Sequence, residues 1–414
     1  MQQAGLESPS RIRLPLLVTL ALLASAAPFA TDLYLPAFPQ MVNDLATSAT
    51  GVQLSLTAFL IGAGLGQVVF GPLSDRVGRL RPLLLGTAVY VLASAAAALA
   101  PTIGLLVAAR LLQGLTGAAG MVIGRAVISD LAHGAEAARG FSIMMLVGGV
   151  APVLAPLAGS LLVDGLGWRG LLWIVAGIGV ISLGAVLCFV RETRPQAVRD
   201  AQRAHQTGWA ELGRLANRRF LGNAVAHAFA FATMMAYISA SPFLYQDLMG
   251  FDAVGYGLAF GLNALALAAV GGVAARLARR HSAVRLSRVG LAVNLGSIAT
   301  LALLSATPVP AIWLSLPIVV AVSSLGLVMG PTTALALEQV PGAAGLGSAA
   351  LGLLQFGIAG AVAPLVSIGG TSVVPLAVTM LVASIIANLG FLATRRSLAL
   401  PRFRRDDLEA AEQA

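Results

Sequence analysis

Two charges sit where burying charge is expensive. Asp32 follows eighteen uncharged residues (Leu14–Thr31) within the stretch PFATDLYLPAFP, and Arg110 interrupts a second apolar run. A carboxylate at the centre of a bilayer costs on the order of 3 kcal/mol even on the mildest insertion scale. Facing lipid it would be inert. Facing a wet cavity beside a cation, it can bind and release a proton as its surroundings change. That chemistry is proton coupling, with Asp32 exchanging the proton and Arg110 tuning it. Two other arrangements fit the same residues. In one, a static Asp32–Arg110 pair only orients two helices; in the other, backbone carbonyls hold Arg110 and leave Asp32 free. Asp32 lies six residues before Phe38 and Arg110 seven after Ile103. At about 1.5 Å per residue, both sit roughly 10 Å below the same membrane face.

Polar and aromatic residues in the apolar runs are candidates to line a cavity around this pair. Tyr34 and Gln113 flank the two charges, Tyr237, Ser241, Phe243 and Tyr245 share a later run, and Asn263 and Gln355 lie in two others. Aromatic and other polarizable side chains suit a pocket for varied apolar solutes because they repack readily. Other chemistry is excluded or unsupported. All 26 basic residues are Arg, so a Walker A lysine and a Schiff-base lysine are both absent. The four histidines form no His-Glu-x-x-His pattern, and the single Cys188 cannot make an internal disulfide. No metal and no cofactor is expected.

The elements that must carry these residues are membrane spans. Of 414 residues, 58% are hydrophobic and 10% charged, against roughly 25% charged in a soluble domain. With about 20 apolar residues needed per crossing, the chain divides into twelve spans. The first six are 14–37, 49–72, 83–101, 103–127, 139–163 and 169–190; the second six are 219–246, 254–276, 286–306, 310–335, 343–368 and 372–394. Arg11, Arg13 and the small residues Ala24–Ala27 mimic a cleavable leader, but the apolar run continues past them, so the first helix is expected to be retained. With a cytoplasmic N-terminus, the inner segments hold 23 arginines and the outer loops one, Arg169. This asymmetry places both termini in the cytoplasm. The +9 net charge follows those loops, so no nucleic-acid partner is implied. Residues 1–191 form a first six-helix bundle, 192–217 a cytoplasmic linker, 218–396 a second bundle and 397–414 a cytoplasmic tail. In the linker, Trp209, Leu212 and Leu215 fit either a surface-lying amphipathic helix or a short solvated one. GPLSDRVGRLR from Gly71 and GGVAARLARRH from Gly271 occupy equivalent places 200 residues apart, which supports duplication and a transporter architecture.

Several motifs carry a family resemblance across essentially the whole chain. GPLSDRVGRLRP resembles the loop motif of the major facilitator superfamily, and RLLQGLTGAAG (Arg110–Gly120) the fourth-helix motif of its drug-exporting branch. GGVAPVLAPLAG (Gly148–Gly159) resembles the fifth-helix antiporter motif, with Gly149, Pro152, Pro156 and Gly159 expected to bend that helix and seal it against the second bundle on the outer side. TDLYLPAFP and SASPFLYQDL are similar to the bicyclomycin and chloramphenicol resistance (Bcr/CflA-type) subfamily. Leu80 departs from the loop motif where the family is often basic. The resemblance implies an all-α fold of two pseudo-symmetric six-helix bundles around a central cavity. It also implies alternating access, in which a monomer in the bacterial cytoplasmic membrane exports drug-like small molecules in exchange for protons. Asp75, beyond the second span, Arg79, Asp130, just past the fourth, and Arg125 are expected to latch the cytoplasmic side of the first bundle in the outward-facing state. Export or uptake of one metabolite, and a receptor without flux, are the competing functions.

Overall fold

A computed structural model describes residues 12–132, 134–194, 196, 215–340, 344–367 and 372–394, all of it helical or connecting chain. Trp209, Leu212 and the 397–414 tail lie outside these residues. Eleven stretches are long and apolar enough to cross a bilayer: α1 (Leu14–Asp44), α2 (Ala49–Val77), α3 (Leu80–Ala98), α4 (Ile103–Leu131), a double stretch, α7 (Arg218–Leu248), α8 (Ala253–Leu277), α9 (Ala283–Ser305), α10 (Ala311–Leu337), α11 (Gly345–Val366) and α12 (Val374–Ala393). The double stretch is part of a run, Gly134–Phe189, that contains both spans expected there. Its 56 residues would make a straight helix about 84 Å long, far more than a bilayer core of roughly 30 Å accommodates. Gly167 breaks it, with φ 62° and ψ 178°, a conformation that suits only glycine. The arms, α5 (134–166) and α6 (168–189), restore the expected twelve.

The helices start on side-chain caps. Ser48, Thr102, Asp252 and Ser282 accept backbone N–H bonds at the starts of α2, α4, α8 and α9, and so satisfy otherwise orphaned donors. α2 and α4 run further than their hydropathy suggests, to Val77 and Leu131. Asp75 and Asp130 therefore sit inside the last helical turns rather than beyond them, because a charged residue at a membrane surface does not interrupt backbone hydrogen bonding. Gly78, at φ 108°, ends α2. α1 is α-helical to Asp32, then tightens into a 3₁₀ turn over Leu35–Ala37 and a short helix over Phe38–Asp44. α7 is α-helical to Pro242 and π-helical over Phe243–Leu248.

The outer faces suit lipid. Along α3 and at its C-terminal cap, Leu85, Leu92 and Leu99 repeat every seven residues and are all strongly exposed. Across the middle, α2 packs against α11 and α5 against α8. The 200-residue repeat maps α2 onto α8 and α5 onto α11, so these two contacts are equivalent; α2 and α8 even end at equivalent positions, Val77 and Leu277. At the Arg-poor end, both bundles share one apolar core, in which Leu33, Phe38 and Phe59 join Tyr237, Phe243 and Tyr256. At the Arg-rich end, the cores are separate. One holds Leu20, Phe70, Val127 and Val186, and the other Phe220, Ala336, Val340 and Leu351. The molecule is closed at its Arg-poor end. Leu215, from the linker, packs against the second bundle's Arg-rich core.

Candidate functional site

Asp32 ends the α-helical part of α1 and is 4% exposed, inside the protein rather than against lipid. Among the described residues, no ion pair joins it to Arg110. Arg110 is fully buried and held by other groups. Its Nη2 donates to the Ala30 carbonyl at 2.8 Å and its Nη1 to Gln113 Oε1. The guanidinium lies 4.6 Å from the ring centroids of both Tyr34 and Phe59. Each such contact is worth about 2 kcal/mol when desolvated. Gln113 Nε2 donates to Ser94 Oγ at 2.7 Å, and Tyr34 Oη pairs with Ser55 Oγ at 3.0 Å. Arg110 is thus held by a backbone carbonyl and an amide rather than by an ion pair with Asp32. The bond to Ala30, two residues before Asp32, sets the two charges at the same depth.

The second bundle brings an aromatic and hydroxyl cluster to the same level. Tyr237 stacks on Phe260 at 5.9 Å, and Ser241 Oγ lies 3.2 Å from Tyr256 Oη. Asn263 Nδ2 donates to Tyr245 Oη at 3.2 Å, and Phe243 meets Phe38 of α1 at 6.0 Å. Asp32 is an electrostatic neighbour of both Arg110 and Tyr256. Gln53 Nε2 donates across the bundles to the Ser239 carbonyl at 3.0 Å, while Gln53 Oε1, Thr57 Oγ1 and Asn263 Oδ1 are buried with no protein partner among the described residues. Asp32, Arg110, Tyr34 and Gln113 thus form one cluster, and Tyr237, Ser241, Phe243 and Asn263 face it. Gln355 stands apart and bonds to His227. Sequence reasoning did not single out Phe59, Ser94, Gln53 and Tyr256; each looks like an ordinary residue of an apolar helix, and only the fold assembles them.

At the Arg-rich end, Arg79 turns back past Gly78 to bond Asp75 at 2.7 Å and Asp130 at 2.8 Å. Burial works against its charge, but the two carboxylates outweigh that and hold the guanidinium above its ordinary pKa. It is a fixed cation. The chain after α6 completes the cluster. Glu192 accepts from the N–H groups of Arg79 and Leu80, Thr193 donates to Asp130, and Arg194 pairs with Asp75 at 2.6 Å. Residues 192–194, at the head of the expected linker, are thus tied to the first bundle. Arg125 is exposed, and no ion pair ties it to the cluster among the described residues. Lying five residues before Asp130, it projects about 140° around the helix from it. The cluster is assembled here with the Arg-poor end closed.

The fifth-helix motif lies along the contact with the second bundle. Pro152 and Pro156 keep helical geometry, Gly167 being the non-helical residue of that run. Gly149 has open space around it, whereas Gly159 packs against the Leu33 carbonyl of α1, within its own bundle. The contact with the second bundle involves Leu157 within the motif and Ser160 just past it, both of which approach Gly257 of α8.

The family model described as Major Facilitator Superfamily matches residues 20–364. The chain belongs to that superfamily. An uncharacterized MFS-type transporter of Bacillus subtilis (strain 168), YdgK, is 36% identical over 383 residues, spanning 92% of this chain and 95% of the relative. A bicyclomycin resistance protein homolog of Haemophilus influenzae is 26% identical over 351 residues, 85% of this chain and 88% of the relative. Its name accords with the Bcr/CflA-type motifs. The solved structure of a point mutant of the nucleoside transporter NupG superposes with a TM-score of 0.71 at 13% identity, covering 92% of this chain and all of that one, and shows the shared fold. The major facilitator fold explains the two bundles, the repeat and the interior cluster together.

Proposed function

We propose that this major facilitator protein exchanges protons for drug-like small molecules and exports them across a bacterial cytoplasmic membrane. One observation carries the reading: Asp32 is buried at the meeting of the two bundles and free of its arginine. A carboxylate locked in an ion pair would keep one protonation state. Here Arg110 already has a carbonyl, an amide and two rings as partners, so Asp32 can exchange its proton as the bundles rock. Arg110 supplies a constant local field and ties α4 to α1.

With the Arg-rich end cytoplasmic by the positive-inside rule, the closed Arg-poor end means that this arrangement is not outward-facing. The Arg79 cluster braces the first bundle so that it moves as a body. Gly257 and Ser160 form part of the outer seal, and outward opening must separate them. The unpartnered polar atoms of Gln53, Thr57 and Asn263, among aromatic rings, offer hydrogen bonds to solutes of mixed polarity. Residues 1–191 and 218–396 are the moving bundles, a monomer suffices, and no enzymatic step is needed.

The test is a drug panel in everted membrane vesicles with an imposed pH gradient. Accumulation driven by an acidic vesicle interior, and collapse of that gradient by added drug, are expected. Flux that ignores the pH gradient would overturn the coupling, and flux in the opposite direction would make the protein an uptake system.

A further inference from the structure

We propose that His227 is a second proton-binding site, in the second bundle, whose protonation resets hydroxyl bonds at the break in α10. His227 is buried on α7 and both ring nitrogens are engaged. Nε2 lies 3.0 Å from Gln355 Oε1 of α11, and Nδ1 lies 3.1 Å from Thr332 Oγ1 of α10. Thr333 Oγ1 stands 3.4 Å from the same Nδ1.

The hydroxyl hydrogens matter here. A threonine has one to give, and Thr332 points its own at the Val328 carbonyl at 2.7 Å, while Thr333 points its own at the Met329 carbonyl at 2.8 Å. With those hydrogens committed, Nδ1 faces oxygen lone pairs. The Gln355 Oε1 on the other side is an acceptor too. An imidazole between two acceptors satisfies both only when both nitrogens carry hydrogen, which is the imidazolium form.

Loss of the Nδ1 proton leaves a lone pair facing lone pairs. The bond is remade when Thr332 or Thr333 swings its O–H from its backbone carbonyl to Nδ1. One proton leaves, one hydroxyl rotates, and one helix carbonyl loses a side-chain bond. That carbonyl lies beside the break in α10, where the α-helix gives way to a 3₁₀ turn over Leu325–Leu327 before resuming at Met329.

Among the described residues, no carboxylate or guanidinium faces the imidazole. α11 and α12 contain none, and α10 offers Glu338, six residues past Thr332. α2 has Asp75 and Arg76 at its tip, α1 has Asp32 and Asp44 toward the other end, and Arg218 and Arg219 lie two turns away on α7 itself. Its protonation is therefore read by hydrogen bonds rather than by a counter-charge. Gln355 and Thr333, the ring's polar neighbours, are half-buried rather than sealed. Gln355 also adjoins Phe356, which packs edge-on against Phe231 of α7 at 5.5 Å and against Gly64 of α2 in the first bundle. A change at His227 thus bears on the α2–α11 contact.

The test uses a single-histidine protein, with His133→Gln, His205→Gln and His281→Gln, ¹⁵N-labelled at histidine in lipid nanodiscs. Ring-nitrogen resonances are followed by NMR between about pH 5 and 8, the range in which histidine ordinarily changes charge. The expected result is an imidazolium pattern that gives way to a neutral ring, with a midpoint displaced in the Thr332→Val, Thr333→Val variant. One neutral tautomer at every pH, or a midpoint indifferent to the two threonines, would overturn the proposal. No transport is needed for this reading, so it stands or falls separately from drug export. In proteoliposomes, His227→Gln is expected to release fewer protons per exported molecule than wild type, and an unchanged ratio counts against the site.

Discussion

At the residue scale, the decisive contrast is between a carboxylate with room to change its proton and an arginine with none to move. Asp32→Asn keeps shape and hydrogen-bonding size but removes titration. If one proton exchanges per molecule, a gradient of one pH unit sustains about a tenfold concentration ratio, the equivalent of about 1.4 kcal/mol. The variant is expected to fold, to bind drug and to sustain no ratio, as read by accumulation in everted vesicles with and without the gradient. Equal accumulation by wild type and variant would remove Asp32 from the coupling step. Arg110→Lys tests the other half. An ammonium cannot lie flat against Tyr34 and Phe59 while bonding both Ala30 and Gln113, so at least one buried acceptor is left unsatisfied. A loss on the order of 2 kcal/mol is expected, visible as a lower melting temperature even in detergent without substrate. The sequence exposed these two residues because buried charge is rare and conspicuous. It could not choose between a mutual pair and separate partners, since the Ala30 carbonyl and the Phe59 ring carry no signal of their own.

At the element scale, helix packing at close approach is governed by which glycine has a neighbour. GGVAPVLAPLAG presents three glycines of the same type, and only geometry ranks them. A Cβ at Gly159 would meet the Leu33 carbonyl, whereas one at Gly149 meets nothing. Gly159→Ala is expected to cost about 1–3 kcal/mol through overpacking. Gly149→Ala should be neutral or stabilising by up to about 1 kcal/mol from helix propensity. Gly257→Ala, pressing on Ser160 across the bundles, should leave folding intact but disfavour the closed Arg-poor end. Thermal melts separate the first two, and labelling of a cysteine introduced at the Arg-poor seal reads the third. Similar melts for Gly149→Ala and Gly159→Ala would contradict this packing. Span number and order were legible because apolar runs of this length have few alternatives. Helix ends at Val77 and Leu131 were not, since hydropathy stops at the membrane surface and hydrogen bonding does not. Nor was the attachment of Glu192–Arg194 to Arg79, Asp75 and Asp130, because polar composition there reads as linker.

At the scale of the whole molecule, one shared core and two separate ones define what must change during a transport cycle. Rocking the bundles about the α2–α11 and α5–α8 contacts would split the shared core at Phe38, Phe243 and Tyr256, and bring the Arg-rich cores together. The bond from Gln246 Nε2 to the Pro36 carbonyl, 3.1 Å, crosses the part that must open. A protein carrying Pro36→Cys and Gln246→Cys in a Cys188→Ala background can be bridged there by a short, reductively cleavable bifunctional thiol reagent. Bridging is expected to bring transport to background and cleavage to restore it, because the tether holds the Arg-poor end shut without touching Asp32 or Arg110. Drug binding from the Arg-rich side should survive the tether, since the cores at that end are already separate. Undiminished transport with the bridge in place would mean that the shared core never splits. Asp32 would then lack the alternating surroundings that its proposed proton exchange requires.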